Sequence, residues 1–284
     1  MSFHEAPLSY ASEITIKVSD LERSILFYKQ IIGLKVLRQD AGRADLTADG
    51  KTVLIGLVQP PAIETKAARS AGLYHFALLL PNRPALASAL AHLIQTGWPL
   101  QGASDHLVSE AIYLADPDGN GIEIYADRPS ESWSWDGGMV RMDTAALQVG
   151  ELLALGEKLP WKGMPRDAIM GHIHLHVSDL KAAEEYYVKG LGFNIAAEYG
   201  GQALFLSTGN YHHHIGINTW NGVGAPPARE NAPGMKDFKL IYPDSQSIRA
   251  AAERIRKLGI VAEIQGDSVL TADPSGNKII LSLK

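Results

Sequence analysis

IKVSDLERSILFYKQIIGL (residues 16–34) and LHVSDLKAAEEYYVKGLGF (175–193) align without a gap, Asp20 on Asp179 and Gly33 on Gly192. Working outward, ADPDGNGIEIY (115–125) matches ADPSGNKIILS (272–282) at nearly the same offset, and GLYHF (72–76) matches GMKDF (234–238). Repetition at a fixed offset means that one structural unit has been used more than once. Two halves of about 120 residues emerge, at 8–127 and 169–284, joined by 128–168, which is rich in Trp, Gly and Pro. Within that connector, TAALQVGELLALGEKL carries helical apolar spacing, so it is expected to be ordered.

Each half divides again. Glu13–Val18 and Ile173–Val177 alternate as strands, and each runs into a helix with Ser or Asp at its start and Gly33 or Gly192 at its stop. Three short strands follow, punctuated by Asp49-Gly50 in one half and Gly209-Asn210 in the other. Residues 74–80, 84–96 and 107–125 repeat the order, as do 237–242, 245–258 and 260–283. The expected fold is α+β, with four βαβββ modules forming two open, barrel-like clefts. A single module cannot enclose its own open face, so the modules are expected to pair.

Composition narrows the function classes. The 284 residues carry a net charge of -5 with Lys and Arg dispersed, which recommends neither a nucleic acid nor an anionic membrane as partner. The start, MSFHEAPLSYASE, has no basic stretch leading into an apolar run, so no signal peptide is expected. No apolar stretch approaches the roughly 20 residues of a spanning helix, and LYHFALLL is cut by Pro81. With no cysteine, thiolate sites and disulfides are excluded, and His, Asp and Glu are the strong metal ligands left. A cytoplasmic location is the expectation.

The VSDL openings, the GLGF at a helix end and DPDGNGIEIY closing a module resemble the vicinal oxygen chelate superfamily, which includes glyoxalase I, type I extradiol dioxygenases and bleomycin-resistance proteins. GHIHLHVSDL (171–180), GNYHHHIGINTW (209–220) and DHLVSEAIYLADPDGNGIEIYADRP (105–129) are similar to the two-domain bacterial catechol-2,3-dioxygenases. The resemblance implies metal ligands on first and last strands of paired modules. Those positions hold Glu13, His75, His172 and Asp237 on first strands, with Glu123 and Ile280 on last strands. Two imidazoles and one carboxylate suit a non-haem Fe(II) centre with open positions. Only His75, Glu123 and His172 supply that set, which requires the inner modules, two and three, to pair around the metal and the outer two to pair with each other. Sequential pairing, with Glu13, His75 and Glu123 as ligands, is the alternative.

The same resemblance implies a catalytic His in the 212–214 run, with His213 at the matching position, a Tyr ten residues before the Glu ligand (Tyr113), and a further His at His106. Strand alternation would set His213 opposite to His212 and His214, so the choice among the three stays open. Eight of the ten histidines (His75, His106, His172, His174, His176 and His212 to His214) fall in motifs on modules two and three. Taken singly, each of these residues has a plainer reading, His75 and Tyr113 as strand packing, Glu123 as a solvent-facing strand residue, and His174 and His176 as neighbours of His172 on one strand face. The two DPxGN segments are read as turns rather than calcium loops, and Trp133, Trp135 and Trp161 as packing anchors.

The implied activity is an Fe(II)-dependent extradiol dioxygenase, with Mn(II) as an optional metal, dioxygen as co-substrate and a small aromatic diol as substrate. A homo-oligomer is compatible with this reading. A glyoxalase-like isomerase or lyase, and a non-catalytic small-molecule-binding protein of the resistance kind, are the alternatives.

Overall fold

The computed structural model describes residues 2–284. It is a mixed α+β chain of four βαβββ modules, with two compact units, one of residues up to 17, 62–74 and 171–284 and the other of 18–61 and 75–170.

In the first unit, module three runs from the strand Ile169–His176 through a helix to Asn194–Tyr199, Ala203–Ser207 and Ile215–Asn218. Its opening and last strands pair in parallel, Ile173 opposite Ile215 and Leu175 opposite Ile217. Module four repeats this with Gly234–Ile241, the helix Ser245–Lys257, Ala262–Gln265, Ser268–Ala272 and Lys278–Ser282. Its opening strand pairs in parallel with its last, Phe238 opposite Ile279. The opening strand of module one, Tyr10–Lys17, lies antiparallel to that of module four, with Ile14 opposite Phe238 and Thr15 opposite Asp237. The outer modules therefore meet at their first strands.

In the second unit, module one continues as the helix Leu21–Gln30 and the strands Lys35–Gln39, Arg43–Thr47 and Ile55–Val58. Module two consists of Gly72–Leu79, the helix Arg83–Thr96, and the strands Leu100–Asp105, Ser109–Ala115 and Gly121–Asp127. The connector forms a helix, Val149–Gly156, inside the stretch whose spacing predicts one. It packs on Arg83–Thr96, and a Cβ on Gly156 would lie 2.0 Å from the Ala87 carbonyl oxygen, so only glycine allows that approach. Trp133 is buried and Trp161 stacks on His92, as anchors do, whereas Trp135 is exposed.

Local chemistry explains the helix ends. Asp20 accepts from the Arg23 N–H, Asp179 from Ala182, Asn82 from Ala85 and Asp244 from Ser247, each satisfying an N-terminal amide that has no partner within its helix. Gly33 and Gly192 stop their helices at φ +82° and +90°, a region where other residues are strained. One helix departs from expectation. In module three only Leu180–Glu184 is α-helical, and Glu185–Leu191 widens into a π-turn. That turn carries two fully buried tyrosines, Tyr186 and Tyr187.

The two DPxGN segments are turns, as expected, and do more than turn. Asp116 accepts from the backbone of Asp118 and Asn120 and from the Tyr28 hydroxyl at 3.1 Å. Asp273 does the same for Ser275, Asn277 and the Tyr187 hydroxyl, also at 3.1 Å. The repeated motif thus ties the helix of one module to the turn of the next.

Candidate metal centre

In module two, odd-numbered residues share one sheet face. Gly121–Asp127 runs beside Gly72–Leu79 in parallel, with His75 opposite Gly121 and Ala77 opposite Glu123. On its other side the hairpin through residues 116–120 puts Tyr113 directly opposite Glu123, which is why a ten-residue spacing makes them neighbours. His75 Nε2 lies 3.0 Å from Glu123 Oε2, and the rings of His75 and Tyr113 are 5.7 Å apart. Ile122 and Ile124 face the other way into the core, as do Ile112 and Leu114. Glu123 is only 2% exposed, so it is not a solvent-facing strand residue.

His106 Nε2 lies 2.6 Å from the Tyr113 hydroxyl, and its Nδ1 lies 2.8 Å from the Asp143 carbonyl oxygen. A carbonyl only accepts, so Nδ1 carries hydrogen, and in the neutral ring Nε2 accepts from Tyr113. The turn that presents His106 is tightly held. Leu107 sits at φ +69°, costing about 1–2 kcal/mol in an L-residue, and its N–H donates to Asp105. Arg128 bonds Asp105 at 2.6 Å and Glu110 at 3.3 Å. Partial burial pushes the Asp105 carboxyl up, but the Leu107 N–H and Arg128 outweigh it and leave the group below its usual range.

In module three, His172, His174 and His176 alternate with Ile173, Leu175 and Val177, and all six are buried. The His213 ring lies 4.0 Å from His172, centroid to centroid. The 212–214 run precedes the strand Ile215–Asn218 instead of belonging to it, so alternation does not govern it. His212 Nδ1 and His213 Nδ1 are hydrogen-bonded to each other at 2.7 Å, which neighbours on opposite strand faces could not do. His214 is engaged elsewhere. Its Nδ1 accepts from the Thr208 N–H at 3.3 Å and its Nε2 donates to the Phe3 carbonyl at 2.9 Å. Burial, followed by the proximity of His4, holds the His214 ring well below the usual histidine range, so it is neutral.

Asn218 was not singled out by the sequence. Its amide oxygen lies 2.7 Å from His176 Nδ1 and its amide nitrogen 3.0 Å from His174 Nε2, bridging both rings. No local signal pairs INTW with HIHLH, because alternation sets the face of each strand and not which strand it meets. Phe205 packs on both His213 and His174, while Tyr74 and Trp220 pack on His174 near the surface.

One ligand atom from each of His75, Glu123 and His172 lies within 4.8 Å of the other two. Octahedral bonds of about 2.1 Å set adjacent donors about 3 Å apart, so the 3.0 Å between His75 and Glu123 suits neighbouring corners. Two imidazoles and one carboxylate are the donor set of a non-haem iron site, and the residues fit that group. Glu13, the ligand of the sequential alternative, is committed to Lys239 at 2.6 Å.

Comparison with known proteins agrees with the modules. The profile of the Glyoxalase/Bleomycin resistance protein/Dioxygenase superfamily matches residues 11–124 and 169–281. A curated relative, the "Catechol-2,3-dioxygenase" of Bacillus subtilis (strain 168), is 45% identical over 276 residues, 96% of each chain. A solved putative dioxygenase from Bacillus subtilis subsp. subtilis str. 168 superposes with a TM-score of 0.69 at 13% identity, over 96% of this chain and 84% of that one. Glyoxalase I from Zea mays superposes at 0.61 with 16% identity, over 97% and 92%. At those identities the two structures speak for the fold alone. The profile spans both halves and the relative spans nearly the whole length, so this chain belongs to the glyoxalase/bleomycin resistance protein/dioxygenase superfamily.

Proposed function

We propose that this chain is an Fe(II)-dependent extradiol dioxygenase that opens the ring of catechol or a substituted catechol. The observation that carries the reading is the grouping of His75, Glu123 and His172 donors within 4.8 Å, buried. The full-length relative at 45% identity supports it. The antiparallel pairing of Tyr10–Lys17 with Gly234–Ile241 also supports it, because it joins the outer modules at their first strands.

His75, His172 and Glu123 would hold Fe(II), which when bound supplies a Lewis acid for the catecholate and a place for dioxygen to meet it. Everything else falls to the chain's own side chains. With Nδ1 engaged by His212, His213 handles the second phenolic proton through Nε2. Tyr113 hydrogen-bonds an oxygen of the substrate as negative charge develops there. His106, its tautomer fixed by the Asp143 carbonyl, accepts the Tyr113 hydroxyl hydrogen at Nε2 until substrate binds and the hydroxyl turns to it. The fully bonded, neutral His214 takes no part in proton transfer. Phe205, packed on His213, keeps water from that side.

No helix among the described residues is long and apolar enough to cross a membrane. The absence of cysteine fits work in a reducing compartment. Oxygen uptake by anaerobically Fe(II)-loaded protein tests the reading. One O2 consumed per catechol with a yellow semialdehyde product is expected. No uptake from iron-loaded protein with any catechol would contradict it.

A further inference from the structure

Away from the ligands, a second set of buried polar groups is organised where residues 2–9 cross residues 207–214. His4 is 8% exposed and its Nε2 lies 2.8 Å from the carbonyl oxygen of Gly171, the residue immediately before His172. In the opposite direction, His214 donates from Nε2 to the Phe3 carbonyl at 2.9 Å. Both acceptors are carbonyls, so both ring nitrogens carry hydrogen. Thr208 closes the clasp, since its hydroxyl accepts from the Ser9 N–H at 3.0 Å and donates to the Ser9 carbonyl at 2.6 Å. Leu8 fills the space beside Gly209, where a Cβ would come within 2.8 Å.

The rings form one continuous stack. His4 meets Tyr10, Tyr211 and His214 edge-on at centroid separations of 5.8, 5.0 and 5.1 Å. Tyr211 lies 4.0 Å from His212, which bonds His213. One end of the stack therefore reaches the residue beside His172, and the other reaches the residue bonded to His213. Backbone-to-ring bonds between segments this far apart in the chain fix a separation that neither segment fixes alone.

We infer that His4 is a positioning residue for the proposed centre, holding the Gly171–His172 backbone and the His212–His213 run in register with each other. The inference rests on His172 as ligand and His213 as proton carrier. A misplacement of about 1 Å at a reacting group can cost about 10²-fold in rate, and a carbonyl released beside a ligand is a direct route to one.

The test uses the full chain, loaded anaerobically with Fe(II), as wild type, His4→Phe and His4→Gln. Phenylalanine keeps the ring packing against Tyr10 and Tyr211 but has no donor for Gly171, whereas the glutamine amide restores one. His4→Phe is expected to keep the thermal midpoint of wild type, lower kcat at least tenfold with KM within twofold, and release iron faster to a chelator. Amide exchange across 207–214 should rise with it, and His4→Gln should return all three readouts toward wild type. Wild-type rates of turnover and iron release in His4→Phe overturn the inference. So does a His4→Gln protein no better than His4→Phe. A wild type that binds no Fe(II) overturns the ligand reading as well, which tells the two failures apart.

Discussion

At the scale of single residues, the arrangement assigns different duties to side chains of one type. Tyr113 faces Glu123 across the ladder and bonds His106, and the proposed function uses its hydroxyl. Tyr28 and Tyr187, equally aromatic, are spent on buried aspartates in turns. Tyr113→Phe is therefore expected to lower kcat by about 10²-fold with little change in KM, measured by steady-state oxygen uptake. His214 makes a separate prediction through pH. Its folded ring stays neutral because burial holds its proton affinity well below the usual 6.5, while the unfolded chain takes up that proton below 6.5. The unfolded state then binds more protons, so this residue's contribution to stability is complete above pH 6.5 and is lost on acidification. The slope is up to about 1.4 kcal/mol per pH unit for one proton. Urea unfolding of metal-free protein between pH 7.5 and 5 should show a slope smaller by one proton in His214→Gln than in wild type. Equal slopes would remove His214 as its source.

At the scale of elements, the helix caps, the glycine stops and the strand–turn order were legible in the sequence because each is decided by residues a few positions apart. Asp20, Asp179 and Gly192 act within one turn of where they stand. Aligning the repeats placed His75 and His172 at matching first-strand positions and Glu123 on a last strand, and the family resemblance made those positions ligand candidates. The Tyr28–Asp116 tie, the Asn218 bridge and the His4–Gly171 bond were not legible. Their partners are 88, 42 or 44, and 167 residues apart, and no periodicity marks a single long-range bond. The alternation assumed for residues 212–214 failed because the strand begins at Ile215. Gly156 in the connector helix offers an element-scale test. Alanine there must push Ala87 away, so Gly156→Ala should destabilise by about 2–3 kcal/mol through overpacking. Gly42, with nothing within 4 Å of an added Cβ, should change stability by less than about 0.5 kcal/mol when replaced by alanine. A comparable loss in both variants would show that the close approach is not what matters.

At the scale of the whole molecule, the four repeated modules share one fold and differ at a few strand positions. At the first-strand positions the outer modules carry Glu13, tied to Lys239, and Asp237, with Ile280 on the last strand of module four, whereas the inner modules carry His75, His172 and Glu123. Duplication explains the common fold, and divergence at a few strand positions explains why one set of modules would bind metal. Binding confined to the folded state adds stability by mass action, about 2.7 kcal/mol at a hundredfold excess of free metal over Kd. The most direct test of the account is anaerobic iron stoichiometry, by metal analysis after gel filtration, on wild type and His172→Ala side by side. The account predicts one Fe(II) per wild-type chain and loss of both iron and oxygen uptake in His172→Ala. A folded His172→Ala protein that retains a full equivalent of iron would contradict it.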